Sequence, residues 1–162
     1  MLKVTPMNLD CAVECDTPSN EPTLREQALS LFSTMMANGR LHRIINTLGR
    51  KSKRLLDQAA FRCASCIHNR HYAGTRSVPI DRILGSEGRK EDFDDAFYPL
   101  HNRLLSRWLG VASLRLAGEG LPPVELIQTC GVYFVRDGHH RISVARALGE
   151  AYIDAEVIDE TC

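Results

Sequence analysis

The residues best suited to chemistry lie in one run near the C-terminus, Val135-Arg-Asp-Gly-His-His-Arg-Ile-Ser-Val144. Asp137, Gly138, His139, His140 and Arg141 stand where the β-rich Tyr133-Phe134-Val135 gives way to a helical pattern, Ile142, Ala145, Leu148. A strand-to-helix turn aims free backbone N–H groups and the positive end of the helix dipole at one point, which makes an anion site. Gly138 lets the backbone approach a ligand without a Cβ, and Arg141 offers a forked donor that matches phosphate or carboxylate. Imidazole charges near neutral pH, so His139 and His140 are candidate phosphate donors or proton shuttles. The plainer alternative is an ordinary connection with Asp137 as helix cap and the histidines in solvent.

Composition bounds what this turn can belong to. The 162 residues are 44% hydrophobic and 25% charged, enough for one core with a small accessory unit. No run is long and apolar enough for a membrane span, and the start lacks a signal-peptide layout, which predicts a soluble, cytoplasmic protein with reduced cysteines. The net charge of zero hides an asymmetry: Arg40, Arg43, Arg50, Lys51, Lys53, Arg54 and Arg62 face one acid, Asp57, whereas from Gly149 onward five acids face no base.

Residues 1–22 have no usable periodicity and read as a tail. Thr23-Leu-Arg-Glu26 is a capping-box sequence that opens a helix with Leu24, Ala28, Leu31, Phe32 and Met35 on one face. Asn38-Gly39 is a stop signal. A second helix carries Leu41, Ile44, Ile45 and Leu48. A third, from Lys51 to about Ile67, turns Leu55, Leu56, Ala59, Ala60 and Cys63 inward. This predicts a helical unit over 23–74, whose basic stretch 40–62 is a candidate for DNA contact or simply a solvated face. Cys63, Cys66, His68 and His71 offer a zinc ligand set, with Cys11 and Cys15 more distant, but the spacing is not that of the familiar fingers.

From Arg76 the pattern becomes mixed. Ser77-Val-Pro-Ile80 reads as a short strand confined by Pro79 to an edge or a strand start. Gly85 and Gly88 bracket Ser86 and Glu87 in a loop able to lie against a ligand, with Arg89 as a second phosphate clamp. Phe93 and Phe97 stand at helical spacing, and Pro99 marks a break or the first turn of a new helix that continues through Leu100, Leu104, Leu105, Trp108 and Val111 to Gly118 and Gly120. Val124, Leu126 and Ile127 begin a strand that pairs as a hairpin with 132–135. The last strand, 151–158, alternates apolar and polar residues, so one face is buried.

The run Gly131-Val-Tyr-Phe-Val-Arg-Asp-Gly-His-His-Arg-Ile-Ser-Val-Ala-Arg-Ala-Leu-Gly149, followed by Ala151-Tyr-Ile-Asp-Ala-Glu-Val157, resembles the core of the ParB/sulfiredoxin superfamily. The Gly138-x-x-Arg141 pair falls on that family's phosphate loop. The D-G-H-H-R form is most similar to its free serine kinases. His139 stands where sulfiredoxins carry cysteine, so the resemblance implies no sulfiredoxin chemistry.

What it does imply is an α+β fold: a small mixed sheet with helices over 75–162, preceded by the N-terminal helical unit. It also implies a nucleotide ligand (ATP, ADP or CTP, with Mg²⁺) on Asp137 to Arg141 and Arg89. Hydrolysis or phosphoryl transfer would use Glu87, then Asp81, as the acid that activates the acceptor, with His140 moving a proton. A non-catalytic, DNA-associated regulator is the other reading. Because the sequence ends at Cys162, it leaves no room for the downstream helices of the chromosome-partitioning proteins.

Overall fold

The computed structural model describes residues 22–48, 55–61, 69–89 and 91–161. The capping box forms as its residue types require: the Thr23 N–H donates to Glu26 Oε2 at 2.8 Å and the Glu26 N–H to Thr23 Oγ1 at 3.3 Å. Helix α1 then runs unbroken over Leu24–Leu48. The stop expected at Asn38-Gly39, and with it a separate second helix, is absent. Gly39 serves packing instead, since a Cβ there would lie 2.8 Å from Tyr98 Cβ. Ala28, Phe32 and Met35 bury the face of α1 that periodicity selects, whereas Leu41, Ile44 and Ile45 are exposed.

Where the third helix is expected from Lys51, strand β1 (Leu56–Asp57) interrupts it, and among the described residues of that span only α2 (Gln58–Phe61) is helical. Residues 49–54 and 62–68 lie outside the described residues, as do the tail, Cys63, Cys66 and His68 of the zinc reading, and all of the basic stretch after Arg43 except Asp57 among its charged residues. His71 is an exposed residue of β2. Strand β2 (Asn69–Pro79) is longer than the expected 77–80, and Pro79 ends it. The boundary expected at 75 therefore falls inside this strand.

Strand β3 (Ile83–Ser86) reaches into the stretch that Gly85 and Gly88 predict to be a loop. Gly85 is required by closeness, since a Cβ there would stand 2.4 Å from the Leu56 carbonyl oxygen and 2.6 Å from the Phe134 ring. Residues 92–98 form no helix. Asp94 Oδ1 accepts the N–H groups of Ala96 and Tyr98 at 3.0 and 2.9 Å, which closes a tight loop with Phe97 at φ 59°. Phe93 and Phe97 are both buried, so their spacing reported burial and not helicity.

Helix α3 (Leu105–Leu116), strands β4 (Val124–Thr129) and β5 (Val132–Asp137), helix α4 (His139–Ala147) and strand β6 (Tyr152–Thr161) complete an α+β fold. The sheet has the order β1-β3-β5-β4-β6-β2. The β4–β5 hairpin and β2–β6 are antiparallel; β1–β3, β3–β5 and β4–β6 are parallel. Ile142 and Ala145 of α4 join Val124, Leu126, Val135 and Val157 in the main core. A second cluster fastens α1 to α3 and α4 through Phe32, Trp108 and Val144. The Trp108 Nε1–H donates to Ser143 Oγ at 2.9 Å, so the indole is buried with its polar atom satisfied. No helix among the described residues is long and apolar enough to cross a membrane.

Candidate functional site at the start of helix α4

Strand β5 delivers the chain to Asp137, and Gly138 turns it into α4 at φ 101°, a left-handed conformation that favours glycine. Space demands the same residue: a Cβ would lie 2.5 Å from Val124 Cγ1 and 3.2 Å from Arg141 Nε. No side chain caps the helix. Asp137 is therefore not the cap that the plainer reading supposes, and the first-turn N–H groups stay available to a ligand. They border a cavity of about 310 Å³ lined by Arg89, Arg107, Asp137, His139, His140 and Arg141, among others. That volume sits at the small end of the range for ligand pockets, about 300–1,000 Å³.

The two histidines are built differently. Ser86 Oγ accepts the Gly88 and Arg89 N–H groups at 3.1 and 2.9 Å and lies 2.7 Å from His139 Nε2. Both lone pairs of the hydroxyl are thus used, so its hydrogen goes to Nε2 and His139 is a neutral imidazole protonated on Nδ1. Its environment agrees: burial, reinforced by the charge of Arg89, pushes His139 down to about 4. Burial, with Arg107 and Arg89 next, does the same to His140. His140 Nδ1 is sealed from solvent and has no partner. An unpaired lone pair is the cheaper state for such an atom, which puts the proton on Nε2 of a ring that lines the cavity. Phe93 fixes both rings, stacked on His139 at 6.0 Å and edge-on to His140 at 5.4 Å.

The arginines divide in the same way. The Arg141 fork is already occupied: NH1 donates to the Pro122 and Pro123 carbonyls at 2.5 and 2.6 Å, and NH2 to Asp137 at 2.6 Å. Arg141 thus braces the turn, which differs from its expected role as a free clamp. Arg89 is exposed and 3.8 Å from Asp92, whose tighter partner is Arg103 at 2.6 Å. Arg107, on α3, has no carboxylate within ion-pair distance among the described residues and lines the cavity. Sequence reasoning missed it because its neighbour Trp108 marks α3 as a packing helix, and only the fold brings α3 beside the turn.

Glu87 is not part of this constellation. It does not line the cavity; its carboxylate meets Arg70 NH2 at 3.1 Å and Arg136 Nε at 3.8 Å. The structure therefore separates the two expected catalytic groups, Glu87 and His140, while it brings Asp137, Gly138, His139, His140, Arg141 and Arg89 together. Asp81 lies on a larger cavity of about 540 Å³. That lining holds Asp81 and Glu150 against one cation, Arg146, which is turned to the Ile80 carbonyl at 2.9 Å and over the Phe97 ring. It suits an anion poorly.

No family model and no curated protein matches the chain. Among solved structures, the sulfiredoxin of Arabidopsis thaliana is similar over 51% of this chain and 82% of that one, with 19% identity and a TM-score of 0.36. A likeness of that size carries no argument about activity.

Proposed function

We propose that this is a nucleotide-binding protein of ParB/sulfiredoxin type whose phosphate site is the cavity at the start of α4. The observation that carries the reading is the set of donors around one ligand-sized space that have no protein acceptor among the described residues, the uncapped first turn of α4 and the Arg107 guanidinium, with the neutral ring of His140 in the same lining. Neutral imidazole donors, backbone N–H groups and arginine suit an anion that is already charged at pH 7, as nucleotide phosphates are. Asp137, the one carboxylate in the lining, would face Mg²⁺ carried in on the phosphates. Phosphoryl transfer or hydrolysis, where it follows binding, would draw on His140 and the arginines, because Glu87 is held elsewhere.

The test is a thermal-shift panel of ATP, ADP and CTP, with and without Mg²⁺, on the full chain and on Arg107→Gln. A nucleotide should raise the melting temperature of the parent, and the variant should lose most of that shift. If no nucleotide moves the parent, the reading fails. Duplex DNA in the same panel separates the regulator reading, for which Arg40 and Arg43 are the only basic residues of the stretch within the described chain. A phosphate-release assay then distinguishes turnover from binding: His140→Ala should abolish it and Glu87→Gln should not.

A further inference from the structure

We propose that His42, Asp94 and Asp95 form a site for a first-row divalent cation, of the Zn²⁺, Co²⁺ or Mn²⁺ class, that latches α1 to the 91–99 loop. His42 Nδ1 lies 3.1 Å from Asp94 Oδ2 and 3.7 Å from Asp95 Oδ1, and one ligand atom from each residue falls within a 4.8 Å span. Metal–ligand bonds of about 2.0–2.2 Å give ligand-to-ligand edges of roughly 3–3.6 Å, so these atoms already stand close to the edges of a coordination polyhedron. One imidazole nitrogen with two carboxylate oxygens is a donor set for zinc or its neighbours. Three protein ligands are too few for a calcium cage and leave positions for water.

Two further features favour a cation over a simple ion pair. A single Nδ1 hydrogen cannot serve two carboxylates. It serves Asp94, and Asp95 Oδ1 remains buried with no hydrogen-bond partner. The second feature is orientation. Asp94 is 1% exposed, and its Oδ1 is held by the Ala96 and Tyr98 N–H groups, so Oδ2 is fixed toward His42. That is how outer hydrogen bonds aim a metal-binding carboxylate. The bound ion would be structural. It would pin the loop whose Phe93 supports both histidine rings of the phosphate site.

Zinc also binds thiols, and this chain has six cysteines, so Co²⁺ is the better probe: its spectrum shows whether thiolates ligate it. The full chain, stripped with chelator, is titrated with Co²⁺ and compared with His42→Gln and Asp95→Asn. The parent should show visible bands without a thiolate charge-transfer band, and a melting temperature raised by about 5 °C or more at a hundredfold excess over Kd. Both variants should lose the bands and the shift. Without metal, Asp95→Asn should melt no lower than the parent, since it removes a like charge, and this separates lost binding from lost folding. Equal binding by parent and variants, a thiolate-dominated spectrum, or no shift in the parent would each overturn the site.

Discussion

Two buried polar clusters among the described residues, one around Glu160 and one around His140, are finished to different degrees. Around Glu160, the Gln58 amide and the Thr129 hydroxyl donate to Oε2 at 3.0 and 2.9 Å, and Arg70 Nε donates to Oε1 at 3.1 Å. Arg70 also reaches Glu87, so each charge has an opposite one beside it. Around His140 the balance differs: among the described residues Arg107 has no carboxylate at ion-pair distance, the first helical turn has no side-chain cap, and one ring nitrogen has no partner. A low-dielectric interior makes completed networks rigid and incomplete ones costly. The first cluster therefore reads as architecture, and the second as a place where a ligand completes the set.

That contrast can be broken from either side, and the largest effect should come from the finished cluster. Glu160→Ala leaves the buried Gln58 amide and Thr129 hydroxyl without their acceptor and takes one of two carboxylates from the partly exposed Arg70, and should cost about 3–5 kcal/mol, read as a fall in the urea midpoint. Acid comes next. His139 and His140 titrate near 4 in the folded chain and near 6.5 when unfolded. The unfolded chain then binds more protons between those values. The stability contributed by keeping the rings neutral is complete above about pH 6.5 and is lost as pH falls toward 4. Either ring alone accounts for up to about 3 kcal/mol over that window. His140→Gln should flatten the slope of unfolding free energy against pH between 6.5 and 5; an unchanged slope would sink the assignment.

Ser86→Ala is a smaller disturbance to the unfinished cluster, at about 2 kcal/mol, because it strands two N–H groups and His139 Nε2. Denaturant melts of the variant measure it. The smallest stability change should come from Arg107→Gln, within about 0.5 kcal/mol because no ion pair is lost, although nucleotide affinity should fall about tenfold, the equivalent of about 1.4 kcal/mol. A large loss of stability there would mean that Arg107 is structural and the two clusters are alike.

The parts of the fold legible in the sequence are those whose local signals agree with their tertiary surroundings. The hairpin, α4 and β6 combine strand alternation, a D-G turn and helical spacing in one contiguous run, and all three form. What escaped notice depends on partners distant in sequence. Gly39 and Gly85 look like punctuation, yet each is demanded by a close neighbour, Tyr98 in one case and the Leu56 carbonyl with Phe134 in the other. Phe93 and Phe97 imitate a helix while Asp94 ties the backbone into a loop. At the site, the turn residues were readable because they are contiguous. Arg107, the Ser86 hydroxyl and the detachment of Glu87 were not, since each depends on which element the fold lays beside the turn.

The order of the sheet has one more consequence. Its outermost strands, β1 and β2, are where another extended chain could add itself. β1 offers only two residues, and β2 is interrupted by a register shift between Tyr72 and Thr75 and carries Arg70, His71 and Arg76 along its exposed length. Short, bulged and charged borders are the devices by which β-proteins discourage edge-to-edge polymerisation. Replacing Arg76 and His71 with valine would leave a longer apolar border, and light scattering should then report fibrous association where the parent stays dispersed.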